Sequence, residues 1–369
     1  MEEIAKDKTF VNKVRSYLIV VLSILLFIFA IDLLTVAMGR LNSEVAREII
    51  AATRNPFISL FVGLLVTALI QSSSTVTASI VAIVASGNMT LQQAVPMVLG
   101  ANIGTTLTST LVSFTFITKR KEFRRALSSG ISHDVFNILC VVILFPLELY
   151  FNFLSKSSGK IAELFAPDGD VTGTFEYNRI FTRTLTEWIV DHINIPFLST
   201  ILAVFLVFFS IKILTTSVYR TFVLDAFQDI SKVIFNNTGM AFLYGIFFTA
   251  AVQSSTVTTS LVVPLVANQR VSLAKSFPFI IGANIGTTIT AVIAAMYKTE
   301  SAIALAFVHV LFNTLGALIF LPFPEIRQIP VKLADFMGKT SVKHRIFGFV
   351  YILLTFFIIP FLLIYFSRD

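Results

Sequence analysis

The stretch Thr67-Ala-Leu-Ile-Gln-Ser-Ser-Ser-Thr-Val-Thr77 occurs twice: 182 positions later the chain reads Thr249-Ala-Ala-Val-Gln-Ser-Ser-Thr-Val-Thr-Thr259. At the same offset Gly100-Ala-Asn-Ile-Gly-Thr-Thr106 returns unchanged as Gly282-Ala-Asn-Ile-Gly-Thr-Thr288, so in both halves the Gln and the first Gly stand 29 positions apart. A third block, His133-x-x-Phe-Asn137 with Pro146 beyond it, returns as His309-x-x-Phe-Asn313 with Pro322. Self-similarity of this kind marks an internally repeated architecture, and the chain reads as two related halves.

The residues around these motifs are apolar. Of 369 residues, 56% are hydrophobic and 13% charged, against about 25% charged in an ordinary soluble domain, so the chain needs lipid around it. A bilayer core takes roughly 20 apolar residues per helix. Runs of that order recur from Ser16–Met38 through Ile346–Phe366, giving eight to ten expected segments, some too interrupted to span simply. The arm Met1–Arg15 is mixed in charge and no small-residue cleavage site follows it, so Tyr17–Met38 reads as a retained helix. The net charge of +7 sits in short loops, where the positive-inside bias accounts for it; membrane lipid, not nucleic acid, is the implied partner. Cys140 is the single cysteine, which excludes an intramolecular disulfide and a cysteine metal cluster.

Charge also orients the chain. Lys119-Arg-Lys-Glu-Phe-Arg-Arg125 carries five basic residues, and the N-terminal arm and Lys332–Arg345 are basic too, so all three are expected in the cytoplasm and both chain ends inside a cell membrane, plasma or bacterial inner. Ser155–Asn194 holds Pro167-Asp-Gly-Asp170 and six acidic against four basic side chains and reads as an outside loop. Lys298-Thr-Glu300, the counterpart of the basic loop, has almost no basic excess, as expected of a second repeat inserted upside down. The expected fold is therefore an all-α integral membrane protein with two inverted-topology repeats whose re-entrant hairpins or broken helices meet at the membrane midplane. The division runs 1–55 (arm and first helix), 56–154 (first repeat), 155–195 (outer loop), 196–237 (linking helix and connector), 238–325 (second repeat) and 326–369 (connector and final helix).

Chemistry is concentrated where charge is absent. Pro56–Thr118 is 63 residues without an Asp, Glu, Lys, Arg or His, yet it contains Gln71, Ser72, Ser73, Ser74, Thr75, Asn102, Thr105 and Thr106. Unsatisfied backbone groups cost several kcal/mol in hydrocarbon, and a Ser-Ser-Ser-Thr run is a poor helix former, so a helix break is expected there. The N-terminus of the resuming half-helix offers free N–H groups and a partial positive charge, a setting for an anion. Gln71, Ser72, Ser73 and Ser74 with Gln253, Ser254, Ser255 and Thr256 are the anion-site candidates. In the Gly-Ala-Asn-Ile-Gly-Thr-Thr blocks, glycines are expected to let the backbone turn, while Asn and Thr oxygens are hard ligands suited to Na+. Cation candidates are Gln71, Ser72, Thr75, Asn102, Thr105 and Thr106 in the first half, and Gln253, Ser254, Asn284, Thr287, Thr288 and Thr290 in the second. No fixed cation lies in the first core, and Arg270 and Lys275 fall only in the connector of the second. An uncompensated buried anion is prohibitively costly, so co-bound Na+ is the inexpensive neutraliser.

Plainer readings compete. Ser79, Ser109 and Ser113 fit ordinary packing of membrane helices, whereas a packing seam does not require a bulky Gln followed by hydroxyls twice at one offset. His133 and His309 each have an Asn four residues on, a spacing that allows a bond across one helical turn and favours structural pinning over a proton relay. Asp32 and Asp134 are candidates as intramembrane acids, but neither has a repeat partner, and they rank below the motifs. A serine hydrolase would need a base and a Gly-x-Ser-x-Gly turn that the chain lacks; the chain does not read as an enzyme.

At these motifs the sequence resembles the type II sodium-dependent phosphate cotransporters, whose halves each carry a Gln-Ser-Ser-Ser element followed by Gly-(Ser/Ala)-Asn-Ile-Gly-Thr. Glu122-Phe-Arg-Arg-Ala126 with His133-Asp134 and Phe136-Asn137 is similar to that family's first half, and Met337-Gly-Lys-Thr340 with Lys343 and Arg345 to its segment after the second repeat. The resemblance covers Gly63–Glu148 and Gly245–Arg345. It implies a symporter moving inorganic phosphate with co-transported Na+, the two Gln-Ser-Ser elements meeting at the substrate, with Ser254, Thr287 and Thr290 where the family is thought to bind Na+. Thr256 departs from the usual third Ser but keeps the hydroxyl. A single cysteine departs from the disulfide-bonded outer loop of animal members and implies a compact, prokaryotic-type member. The alternatives are a symporter of another small oxyanion and a passive anion channel; a homodimer is left open.

Overall fold

The computed structural model describes residues 2–41, 53–165, 182–223, 233–296, 298–343 and 346–366, with single positions at 44, 48, 51 and 227. Pro167-Asp-Gly-Asp170 of the expected outer loop, and Arg345 of the basic stretch, lie outside these residues.

Every regular element among the described residues is helical. Helix α1 (Glu2–Gly39) is followed by α2 (Pro56–Ile70), α3 (Ser73–Ala85), α4 (Leu91–Thr105), α5 (Leu107–Ser113) and α6 (Arg120–Phe151). Next come α7 (Phe153–Glu163), α8 (Arg183–Ile193) and α9 (Pro196–Val218). The second half holds α10 (Thr238–Val252), α11 (Ser255–Ala267), α12 (Leu273–Ala295) and α13 (Glu300–Phe320). Helix α14 (Pro324–Lys343) leads to α15 (Ile346–Leu353) and α16 (Ile359–Phe366), joined through a π-helical stretch.

Among the described residues seven stretches are long and apolar enough to cross a membrane: Val14–Gly39, Leu91–Phe116, Arg120–Phe151, Pro196–Thr221, Leu273–Ala295, Glu300–Phe320 and Ile346–Phe366. Helices α2, α3, α10 and α11 are apolar but shorter. Hydropathy alone suggests eight to ten segments because it does not see that each Gln-Ser-Ser element cuts an apolar run in two. The protein is a multi-pass, all-helical membrane protein.

Local chemistry sets the helix starts. Asn55 Oδ1 accepts from the N–H groups of Phe57 and Ile58, with Pro56 at the first helical position, and Asn237 Oδ1 accepts from Gly239 and Met240. Both are N-caps, satisfying donors that a helix start leaves open. Thr90 and Gln93 close a reciprocal capping box at the head of α4, and Ser272 caps α12 through the Lys275 N–H.

The expected turn at the Gly-Ala-Asn-Ile-Gly blocks is not what forms: both blocks are helical. The glycines serve close approach instead. A Cβ on Gly100 would meet the Leu60 carbonyl and one on Gly104 the Leu64 carbonyl; Gly282 and Gly286 stand in the same way against Phe242 and Ile246. Helix α4 thus lies against α2, and α12 against α10, with backbone touching backbone, the small-residue packing favoured where no hydrophobic drive separates helix from lipid. The halves differ just beyond: the first is interrupted at Thr106, while α12 runs on to Ala295. Phe136 fills the centre between the halves, edge-on to Phe277 and Phe320.

Contacts sort the connections to two ends. At one end, Asn88 Nδ2 donates to the Met38 carbonyl at 2.7 Å, Arg40 pairs with Asp191 at 3.4 Å, and Asp32 pairs with Lys298 at 3.3 Å and accepts from Thr182 and Thr186, both at 3.0 Å. At the other, Arg125 Nε donates to the Ala267 carbonyl at 2.9 Å, Arg124 pairs with Asp335 at 3.5 Å, and Arg327 donates to Thr238 at 3.1 Å. The 26 residues of Leu91–Phe116 separate the ends by about 39 Å at 1.5 Å per residue.

Candidate functional site

Both Gln-Ser-Ser elements break their helices with the same backbone. Gln71 (φ 57, ψ 29) and Gln253 (φ 57, ψ 28) occupy the left-handed region, followed by extended Ser72 (φ −147, ψ 96) and Ser254 (φ −149, ψ 105). The Gln N–H closes each first helix, onto Thr67 O at 2.7 Å and Thr249 O at 2.6 Å. Ser72 Oγ then caps α3 by accepting from the Thr75 N–H, and Ser254 Oγ caps α11 by accepting from Val257. The N–H groups of Ser73 and Ser74, and of Ser255 and Thr256, are first-turn donors without an intrahelical acceptor. A left-handed residue other than Gly costs about 1–2 kcal/mol, and such strain characteristically sits at ligand clamps.

The elements meet across the halves. Ser74 Oγ donates to the Gln253 carbonyl at 2.9 Å, and Thr290 Oγ1 lies 3.5 Å from Ser74 Oγ. Ser109, read as a packing residue, shares a 2.8 Å bond with Thr259 Oγ1. Gln253 is buried and its Oε1 has no partner, whereas Gln71 is exposed. Ser73, Ser74, Thr75 and Ser255 are buried; Ser72, Ser254 and Thr256 are half-buried.

The threonines of the second motif share one device. Thr105 Oγ1 donates to Ala101 O at 2.8 Å, Thr106 to Ile103 O at 2.8 Å, Thr287 to Ala283 O at 2.9 Å and Thr288 to Ile285 O at 2.8 Å. A hydroxyl whose hydrogen points back into its own helix turns its lone pairs outward, which is what a hard cation needs. Among the described residues no three His, Cys, Asp or Glu gather as a metal cluster; the oxygens that these threonines offer are neutral hydroxyls.

The histidines do not bond the Asn on their own helix through the ring, as the spacing of four suggested. Asn137 Nδ2 and Asn313 Nδ2 donate to the backbone carbonyls of His133 and His309, at 3.1 and 3.0 Å. The rings cross to the other half. His133 Nε2 meets Asn284 Oδ1 at 2.6 Å, and Asn284 Nδ2 donates to Asn137 Oδ1 at 3.0 Å. His309 Nε2 meets Asn102 Oδ1 at 3.2 Å; Asn313 Nδ2 donates to the same oxygen at 3.2 Å, and Asn102 Nδ2 donates to Val98 O at 2.9 Å. All six side chains are buried. Sequence could not show this exchange, because it joins blocks about 150 and 207 positions apart.

The two acids separate. Asp32 is fully buried but neutralised by Lys298, with Arg183 3.9 Å away. Asp134 is equally buried and accepts from Thr110 at 2.9 Å and Tyr351 at 3.0 Å, but its Oδ1 has no partner and no ion pair reaches it among the described residues. Its charge inside an apolar run marks it as a candidate in the sequence, and its lack of a repeat counterpart ranked it below the motifs.

Sodium-dependent phosphate transport protein 2A of Rattus norvegicus is 31% identical over 414 aligned residues, covering 91% of this chain. The 2A protein of Oryctolagus cuniculus is 30% identical over 91% of the chain, and protein 2B of Homo sapiens 28% over 90%. The chain spans 65% of the length of the rat and rabbit relatives and 62% of the human one. No solved structure matches. A family model described as Na+/Pi-cotransporter matches residues 26–162 and 204–329, and those two segments take in all three repeated blocks in both halves. The chain belongs to the Na+/Pi-cotransporter family.

Proposed function

We propose that this protein is a symporter that carries inorganic phosphate across a cell membrane together with Na+ by alternating access. The observation that carries the reading is the meeting of the two broken helices, where Ser74 of one donates to the Gln253 carbonyl of the other at 2.9 Å. Two half-helix N-termini then converge on one place with hydroxyls around them, an anion site made without a fixed cation. Membership of the family and the names of the relatives support phosphate as the anion and sodium as the coupling ion.

Phosphate is assigned to the elements Gln71–Ser74 and Gln253–Thr256. Na+ is assigned to Gln71, Ser72, Thr75, Thr105 and Thr106, and to Gln253, Ser254, Asn284, Thr287, Thr288 and Thr290; Asn102 is set aside because its Oδ1 already accepts from His309 and Asn313. Asp134 joins the cation set, because a buried carboxylate without an ion pair adds a second negative charge for cations to balance. Arg270 and Lys275 are exposed, so no lysine or arginine of the second core does this work, and the cost of an uncompensated buried anion makes Na+ obligatory.

The topology follows from the two ends. With the basic arm and the Lys119–Arg125 loop in the cytoplasm, the end bearing Asn88, Lys298 and α8 faces outside. The first broken pair, α2–α3, is then a re-entrant hairpin from outside, and α10–α11 one from inside, which makes the repeats 56–154 and 238–325 inverted copies. Among the described residues seven helices are candidate spans by length and composition, and the basic N-terminal arm is kept on the inside.

Proteoliposomes test the reading. Radiolabelled phosphate should accumulate against its gradient when Na+ is outside and should not when choline replaces it; equal uptake in choline would sink the coupling. Excess sulfate that abolished phosphate uptake would point to a general oxyanion carrier, and flux without accumulation to a channel.

A further inference from the structure

We propose that His133 is a positioning residue that aims the Asn284 side-chain oxygen at a bound cation, and that its repeat counterpart His309 does not play this part. The inference deepens the proposed function and rests on it.

Lone pairs decide the difference between the two histidines. An amide oxygen cannot donate, so each histidine must present Nε2–H to its Asn, and each carbonyl oxygen has two lone pairs. Asn102 Oδ1 spends both, on His309 and Asn313. Asn284 Oδ1 spends one, on His133, while the Asn284 amide is drawn off toward Asn137. Helix α6 thus grips Asn284 at both ends of its amide and leaves one acceptor direction open. Thr287 and Thr288, three and four residues on, lie on the same helix face and turn their lone pairs outward through bonds to Ala283 and Ile285. Asn284, Thr287 and Thr288 therefore form a preset oxygen edge, whereas in the first half the matching edge stops at Thr105 and Thr106, with Asn102 filled. A pseudo-symmetric pair has been given unequal roles. A ligand oriented through a hydrogen bond from behind loses about 10–100-fold in metal affinity when that bond is removed.

The test titrates Na+ on purified protein, by uptake at saturating phosphate and by the Na+ concentration that half-maximally raises the thermal unfolding midpoint in detergent. His133→Leu should raise both half-points about tenfold or more. His133→Gln keeps a donor near the Nε2 position and should restore them to within about threefold of wild type, while His133→Asn, polar but too short, should behave like the Leu variant. His309→Leu should melt lower yet keep its Na+ half-points within about twofold, since it loses a buried hydrogen bond but no cation-facing oxygen. Equal shifts in His133→Leu and His133→Gln overturn the proposal, as does a shift in His309→Leu as large as that in His133→Leu. If His133→Leu does not fold, the Gln and Asn variants decide alone. Wild-type protein that neither takes up phosphate with Na+ nor is stabilised by Na+ refutes the symporter reading itself, a result separate from either pattern among the variants.

Discussion

The residue on which most turns is Gln71, with its counterpart Gln253. Sequence picks both out, because a bulky amide recurs at one offset where packing asks for small side chains. What the pattern cannot reveal is the left-handed backbone (φ 57 in both), since Gln is not a residue that signals it. Backbone and side chain can therefore be separated by substitution. Gly relieves the left-handed strain, about 1–2 kcal/mol, while removing the amide; Ala removes the amide and keeps the strain. Gln71→Gly and Gln253→Gly should melt at or above wild type and about 1 kcal/mol above the Ala variants, yet all four should lose Na+-driven phosphate uptake. A Gly variant less stable than its Ala partner would refute the strain account, and retained uptake would remove the glutamines from the site. Asn102 and Asn284 show the other limit: the same residue in the same motif has different free valences, because those depend on partners in the opposite half.

For the helices, the positions of the breaks were legible and the manner of packing was not. The Ser-Ser run announces an interruption by its poor helix propensity, but Gly-x-x-x-Gly is compatible with both a turn and a close helix crossing, and only the facing chain decides. Here the facing atoms are carbonyls, so a methyl group has nowhere to go. Gly282→Ala and Gly100→Ala are each expected to cost about 1–3 kcal/mol through forced separation of helices. Gly159→Ala in α7, where a Cβ meets nothing within 4 Å, should be neutral or slightly stabilising. Thermal unfolding of the three variants checks this; a tolerated Ala at 282 would mean that α10 and α12 slide freely.

At the level of the whole molecule, the recurrence of the three blocks is legible in the sequence, while the connections at the end bearing Lys298 are not. Asp32 reads in the sequence as an intramembrane acid ranked below the motifs; it ties α1 to the α12–α13 connection and to α8 through Lys298, Thr182 and Thr186. Removing one member of a buried pair costs about 3–5 kcal/mol, whereas replacing both is often near neutral. Lys298→Met should therefore melt far below wild type, and the double variant Asp32→Asn, Lys298→Met should recover most of the loss; additive losses would show that the pair is not coupled. Burial pulls the Lys298 ammonium down to about 8, against the upward pull of Asp32. The unfolded chain then holds that proton more tightly, so this group's share of stability rises as pH climbs from about 8 toward 10.5, a rise that Lys298→Met should lack. The sole thiol, Cys140, is sealed inside α6 with the Gly316 backbone close over it. The natural chain is thus silent to thiol-reactive dyes in the native state, and any spin label or fluorophore attached at an introduced cysteine reports from a single known address.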